Sequence, residues 1–182
     1  MRRLAFLLAL MAGPAFSAGL EIKVTGENVN GTIKIDLLED VAPLHAAQIT
    51  ALAAKGAYDG VVFHRVIKGF MAQTGDVQFG KDQSDMSRAG MGGSDFANIP
   101  AEFSDVPFDR GVVGMARSQS PDSANSQFFI MFAPGYFLNN QYTVIGRVTE
   151  GMDIVDVLKF GDPSSGAIDS QPDVMQTVFV TD

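Results

Sequence analysis

Short runs in which apolar and polar residues alternate recur along most of this chain, and they constrain its fold more than any other feature. In the runs 21–25 and 32–37 every second residue is aliphatic. A period of two is typical of a strand that buries one face. Asn30-Gly31 lies between the two runs and is a turn signal, so this part of the chain is predicted to form a β-hairpin.

The other strand-like runs are separated by two helical segments that lie far apart in the chain. The strand-like runs are 61–67, 69–74, 111–117, 126–132, 142–148 and 173–181. An alanine-rich helix is predicted over 43–55, with Pro43 in its first turn, and a shorter helix over 151–158. This order does not match a βαβ alternation. It favours a mainly β fold, an antiparallel sheet closed into a barrel with helices over its ends.

The segment 77–99 is polar, contains several glycines and has no hydrophobic period. It is long for a loop within one compact domain, which indicates a functional or mobile excursion. Three acidic residues at or near its start, Asp76, Asp82 and Asp85, lack the spacing of a calcium-binding loop. They are predicted to be solvated loop charges.

The N-terminus has the three parts of a secretory signal. Arg2-Arg3 supplies a positive start, 4–12 is an apolar run, and 15–17 begins and ends with a small residue, as a signal peptidase requires. The apolar run is too short to span a membrane. Residues 1–17 are therefore predicted to be a signal peptide, and 18–182 a single domain exported to a bacterial periplasm.

Charge and cysteine content exclude several classes of function. The 182-residue chain has 13 basic and 21 acidic residues, a net charge of −8, which loss of the signal peptide would take to −10. Such a chain is a poor partner for nucleic acid and for anionic membrane surfaces. With no cysteine and two histidines it cannot form disulfides or an ordinary zinc site. We expect no metal and no cofactor, and we take a monomer as the default.

The stretch FHRVIKGFMAQTGD at 63–76 is the best candidate for a functional site. It places Arg65 among large apolar side chains at alternating positions, with the amide of Gln73 close behind. Such a surface can hold an apolar ligand and offer hydrogen-bond donors to one polar spot. It contains no nucleophile, metal cluster or phosphate loop, so its chemistry is predicted to be non-covalent. His64 points to the opposite face of the same strand and is predicted to be structural.

Three motifs carry a resemblance to a known family. FHRVIKGFMAQTGD at 63–76, GMARSQSPDSANSQFFIMF at 114–132 and YTVIGRVTEGMDIVD at 142–156 resemble the cyclophilins, the cyclosporin-binding class of peptidyl-prolyl cis-trans isomerases. The likeness extends from about Ile22 to Phe179. It implies a closed eight-stranded antiparallel β-barrel capped by two α-helices. It also implies an enzyme that accelerates rotation about X–Pro bonds in proline-containing polypeptides and so assists protein folding.

The resemblance implies three catalytic residues. Arg65 falls where the family has its catalytic arginine, Gln73 where a glutamine holds that arginine, and Phe70 on the wall of the proline pocket. A guanidinium suits this reaction because the X–Pro nitrogen regains a lone pair as the bond twists. The cation then stabilises the twisted form more than either planar form.

Eight further positions match the substrate-binding groove of the family: Met71, Ala116, Arg117, Gln127, Phe129, Phe137, Leu138 and Tyr142. Three of these depart from the usual residue. Tyr142 stands where histidine is frequent, Arg117 replaces the usual asparagine, and Phe137 replaces the tryptophan of many eukaryotic members. Because that indole offers a hydrogen bond to cyclosporin, we expect weak cyclosporin binding with catalysis retained.

A second hypothesis comes from a different functional class. The same fold could bind proline-containing segments as a chaperone or assembly module with little turnover. The joint presence of Arg65, Phe70, Gln73 and Phe129 favours the enzyme, because a module that only binds could dispense with Arg65.

Overall fold

The computed structural model describes residues 18–81 and 83–181, so the predicted signal peptide and Asp82 lie outside the described residues. The strands are β1 (Gly19–Thr25), β2 (Asn30–Leu37), β3 (Val61–Val62), β4 (Arg65–Ile67), β5 (Met71–Thr74), β6 (Val112–Met115), β7 (Phe128–Met131), β8 (Val144–Glu150) and β9 (Val174–Thr181). The α-helices are α1 (Pro43–Ala54) and α2 (Met152–Asp156), and short 3-10 helices lie at Pro121–Ser123 and Tyr136–Leu138. Within this part of the chain, every helix is too short or too polar to cross a bilayer. The predicted mainly β fold with two α-helices is confirmed.

All nine strands belong to one curled sheet, in the order β3-β9-β1-β2-β8-β6-β7-β5-β4. The prediction of a closed barrel of eight strands is therefore corrected to a nine-stranded half-barrel. The end strands β3 and β4 follow one another in the chain, yet the described residues show no ladder between them. Phe63 and His64 interrupt the strand because their backbone bonds go elsewhere. The Phe63 amide donates to the Asp173 carbonyl (2.9 Å), and the His64 carbonyl accepts from the Ile168 amide (3.0 Å).

The predicted hairpin forms, but its turn lies before the Asn30-Gly31 signal. β2 already begins at Asn30, and a hydrogen bond from the Gly26 amide to the Val29 carbonyl (2.8 Å) closes the turn. Gly31 packs against α2 instead. A Cβ at this position would lie 2.3 Å from Cδ1 of Ile154, so the Ile154 side chain would have to shift for any other residue.

Helix α1 begins at Pro43 as predicted, but its cap comes from a distant segment. Glu102 accepts hydrogen bonds from the amides of Leu44 and His45 (both 3.1 Å) and lies 2.6 Å from Nδ1 of His45. These are amides that a helix leaves without an internal partner. His45 is fully buried at this contact, although nothing in the sequence singles it out.

Asp76 organises the 77–99 excursion, and the prediction that it is a solvated charge is wrong. Its carboxylate is fully buried. One oxygen accepts from the amides of Gln78 (3.1 Å) and Phe79 (2.9 Å), and the other from the amides of Gly90 (2.7 Å) and Gly92 (2.9 Å). A buried carboxylate is tolerated here because four N–H donors replace its hydration.

Burial lowers the pKa of His64 to about 4, and the nearby Asp76 carboxylate opposes that shift only in part. The ring is enclosed at Gly90, where a Cβ would lie 2.8 Å from its Cδ2. When the pH falls below 6.5, the ordinary pKa of histidine, His64 becomes protonated in the unfolded chain. In the folded chain it stays neutral until the pH approaches 4. We therefore predict that His64 lowers the free energy of unfolding by about 3 kcal/mol as the pH falls from 6.5 to 4.

Urea unfolding at several pH values measures this effect when the wild type is compared with His64→Gln. The variant lacks the titrating group, so its stability should fall less steeply across the same window. An NMR titration of the imidazole would locate the pKa directly. Equal pH dependence of the two proteins would contradict the prediction.

Candidate active site

Ten of the eleven predicted site residues line one cavity of about 330 Å³, which we call the apolar slot. These residues are Arg65, Phe70, Met71, Gln73, Ala116, Arg117, Phe129, Phe137, Leu138 and Tyr142. The remaining residue, Gln127, lines a second cavity that adjoins the slot. Side chains from four separate stretches of sequence are thus brought to one place.

Strand register places the central residues of the slot in one row. Arg65 on β4 lies directly opposite Gln73 on β5, and Gln73 lies opposite Phe129 on β7. Residues opposite one another in neighbouring strands project to the same face of a sheet. The cation, the amide and the aromatic floor therefore share a face because of backbone pairing alone.

Two oxygen acceptors hold Arg65. Its Nε donates to the Ser165 carbonyl (2.9 Å), and Nη1 donates to Oε1 of Gln73 (3.4 Å). Gln73 in turn donates to Oε1 of Gln127 (2.9 Å), and Gln127 donates to the Gly92 carbonyl (2.7 Å). Among the described residues nothing accepts from Nη2 of Arg65, so this group is available to a ligand in the slot.

The floor of the slot is packed and its rim is exposed. Phe129 stacks on Phe108 with ring centroids 5.8 Å apart and meets the Tyr142 ring edge-on at 5.9 Å. Gly114 makes this possible, because a Cβ there would lie 2.5 Å from the Phe129 ring. At the rim, by contrast, Phe137 is 72 % exposed. A ligand would thus meet a rigid apolar floor and cover an aromatic rim.

Arg117 stands at the groove edge, as predicted, but its guanidinium is well anchored. It lies over the Tyr142 ring, 4.4 Å from the centroid. It also donates to the backbone carbonyls of Gln141 (2.9 Å), Ser118 (2.9 Å) and Gln119 (3.2 Å). Arg117 therefore keeps its positive charge at the groove edge, but most of its N–H groups already donate to backbone carbonyls.

The second cavity has a volume of about 460 Å³ and shares Gln73, Ala116 and Arg117 with the slot. Its other walls come largely from residues that the site prediction did not include: Gly90, Met91, Gly92, Gly93, Ser94, Asn98, Ser118, Ser123, Asn125 and Ser126. Six of them lie in the irregular 77–99 excursion and the other four lie in the 114–132 motif, which were the two sequence signals for this wall. Two of these residues fix the wall, since Oδ1 of Asn125 accepts from both the amide and the hydroxyl of Ser94 (2.7 Å each).

Fold and site together define a class of protein. A curled antiparallel sheet with two helices carries an apolar slot of about 330 Å³, and an immobilised arginine lines that slot. No serine, threonine, cysteine or lysine lines the slot, and the described residues contain no cluster of side chains that could hold a metal ion. Such a site is suited to an apolar group that lies next to a polar bond.

The chain belongs to the family of cyclophilin type peptidyl-prolyl cis-trans isomerases, whose model matches residues 20–180. A relative described as a probable peptidyl-prolyl cis-trans isomerase in Brucella suis is 57 % identical over 146 residues, covering 79 % of this chain and 74 % of the relative. Peptidyl-prolyl cis-trans isomerase 10 of Caenorhabditis elegans is 38 % identical over 142 residues, covering 76 % of this chain and 82 % of the relative. The predicted cyclophilin-type isomerase is thereby confirmed.

Solved structures agree with this assignment. A cyclophilin type isomerase of Cryptosporidium parvum, determined in the presence of the dipeptide Ala-Pro, matches with a TM-score of 0.73 and 26 % identity, over 90 % of this chain and 99 % of the other. The cyclophilin AquaCyp293 from Hirschia baltica matches with a TM-score of 0.71 and 26 % identity, over 88 % of this chain and 72 % of the other.

Proposed function

We propose that Arg65 catalyses rotation about X–Pro bonds by stabilising the twisted bond in the apolar slot. The barrier to this rotation is about 18–20 kcal/mol because amide resonance is lost on twisting. Resonance loss leaves a lone pair on the nitrogen and changes the charge on the carbonyl oxygen. A fixed guanidinium stabilises this distribution most when the bond is twisted, which lowers the barrier.

The observation that carries this proposal is the immobilisation of Arg65 beside an apolar floor. Its bonds to Ser165 and Gln73 set the cation in place before a peptide arrives, so little ordering is needed during the reaction. Phe70, Met71 and Phe129 offer an apolar surface for the pyrrolidine ring while the preceding carbonyl turns. The Ala-Pro dipeptide used with the Cryptosporidium parvum protein supports proline-containing peptides as ligands.

Isomerisation of a short proline-containing peptide at about 10 °C tests the proposal, since the uncatalysed exchange then takes minutes. We expect catalytic amounts of the protein to shorten that time. Peptide binding can be followed in parallel through the NMR signals of the Phe129 ring. Binding at the slot without acceleration would favour the module that only binds.

Cyclosporin should bind weakly while catalysis is retained, because Phe137 has no indole N–H to donate. Introducing that donor with Phe137→Trp should lower the dissociation constant for cyclosporin by about 5- to 10-fold, the value of one neutral hydrogen bond. Isothermal titration of both proteins with cyclosporin measures the difference. A nanomolar dissociation constant for the wild type would contradict this prediction.

We further propose that the protein is exported and assists the folding of proteins in the periplasm as a monomer. The N-terminal pattern over 1–17 supports export, and the excess of acidic residues agrees with polypeptides rather than nucleic acids as partners. The mass of protein recovered from the periplasm tests this. A mature chain that begins at Ala18 is the expected result, and soluble protein that retains Met1 would refute it.

A further inference from the structure

The carbonyl that holds Nε of Arg65 belongs to a tight loop, residues 161–167, which we call the Asp162 loop. One carboxylate oxygen of Asp162 accepts four hydrogen bonds within it. The donors are the amide and hydroxyl of Ser164 and the amide and hydroxyl of Ser165. The Ser164 hydroxyl, with the other three donors, lowers the pKa of Asp162 to about 2.

The Asp162 loop is also tied to the strand that carries Arg65. The Gly161 amide donates to the Val66 carbonyl (3.0 Å), and the Val66 amide donates to the Gly166 carbonyl (2.8 Å). Gly166 has φ +77°, and a Cβ there would lie 2.3 Å from Cγ1 of Ile67. Backbone bonds thus fix both ends of the loop against β4, and the carboxylate of Asp162 fixes the part between them.

We propose that Asp162 is a positioning residue for Arg65, acting through the Ser165 carbonyl. That carbonyl receives the shorter of the two hydrogen bonds that Arg65 makes to the loop and to Gln73, 2.9 Å against 3.4 Å. It therefore sets the direction of the guanidinium more firmly than the glutamine does. Without the bond to the Ser165 carbonyl, the long arginine side chain would have to be ordered during each reaction cycle. This inference rests on the proposed catalytic role of Arg65.

Asp162→Ala tests the proposal because it removes the acceptor without touching the slot. We expect kcat to fall by about 10-fold with KM nearly unchanged, since the apolar contacts to the peptide remain. Asp162→Asn should restore most of the activity, because its amide oxygen can accept the same bonds. Asp169→Ala is the matched control. Asp169 bonds to Ser170 in the same connection (3.1 Å) but makes no contact with Arg65.

A spectroscopic readout separates positioning from general destabilisation. The Nε–H signal of Arg65 in a 15N spectrum should exchange slowly in the wild type and in Asp162→Asn, and rapidly in Asp162→Ala. An unchanged Nε–H signal in Asp162→Ala would overturn the proposal. So would equal losses of activity in Asp162→Ala and the Asp169→Ala control.

The double variant Arg65→Ala/Asp162→Ala distinguishes the positioning role of Asp162 from the catalytic role of Arg65. If Asp162 acts through Arg65, removing Asp162 should cost nothing more once Arg65 is absent. A further 10-fold loss in the double variant would overturn the positioning role. Full activity of Arg65→Ala alone would instead refute the proposed catalytic role of Arg65, while the Nε–H signal would still report whether Asp162 holds the side chain.

Discussion

Replacing Arg65 by alanine is expected to lower kcat/KM for a proline-containing peptide by about 10²- to 10³-fold, the loss typical of one preorganised donor. The slot keeps its apolar walls in this variant, so peptide binding should change much less than kcat. The measurement is the isomerisation assay at low temperature, combined with peptide binding by NMR. Arg147, exposed on β8 away from the slot, provides the matched control, and Arg147→Ala should leave the rate unchanged.

Arg65→Lys separates charge from geometry. Lysine keeps the positive charge, but its three donors sit on one nitrogen, so it cannot reproduce the separate Nε and Nη1 bonds to the Ser165 carbonyl and Gln73 and also reach the peptide. Its kcat/KM should therefore lie between those of the wild type and Arg65→Ala. Rates near the wild-type value in Arg65→Ala would remove this residue from the mechanism.

The pairing of Arg65 with Gln73 was predicted from the resemblance to the cyclophilins. Both residues lie in one short β-hairpin, whose register sets them directly opposite one another. The Ser165 carbonyl, 100 residues further on, could not be predicted. Its sequence neighbourhood indicates only a turn, and a backbone acceptor leaves no trace in side-chain patterns. The same holds for Glu102, which caps α1 from a distance of 58 residues.

The errors in the fold have physical causes of the same kind. Asn30-Gly31 has the local preference of a turn, but this pair lies within β2, where it extends the ladder with Val24 and Thr25 of β1. Local propensity is a weak prior that tertiary contacts override. The strand that was predicted over 61–67 is interrupted because Phe63 and His64 bond to the connection before β9, which no period in the sequence reveals.

Asp76 shows how composition can mislead. Aspartate is rarely buried without a partner, so solvent exposure was the better prediction from sequence. What the sequence does not show is that four amides of the following excursion converge on this carboxylate. A long segment without secondary structure has many backbone N–H groups to satisfy. One buried acceptor at its base meets that need.

Asp76→Asn should therefore lower the free energy of local opening of the 77–99 excursion by about 3 kcal/mol or more, although the two side chains have nearly the same shape. Whichever way the asparagine turns, its NH₂ group faces two amide donors where a carboxylate oxygen accepted before. Hydrogen exchange of the Gly90 and Gly92 amides measures the loss directly. Asp85→Asn is the control, because Asp85 is exposed and accepts from the Ser87 amide (2.9 Å), so its effect should stay below about 0.5 kcal/mol.

The same substitution should also affect Arg65, for which we propose the catalytic role. The carbonyls of Gly90 and Gly92 accept from Gln127, which accepts from Gln73, which accepts from Arg65. Loosening the excursion removes the last acceptors of this chain of amides, so kcat should fall in Asp76→Asn even at temperatures where the sheet stays folded. Normal kcat with deprotected Gly90 and Gly92 amides would show that the excursion and Arg65 are independent. In that case the Ser165 carbonyl alone would be enough to hold the guanidinium.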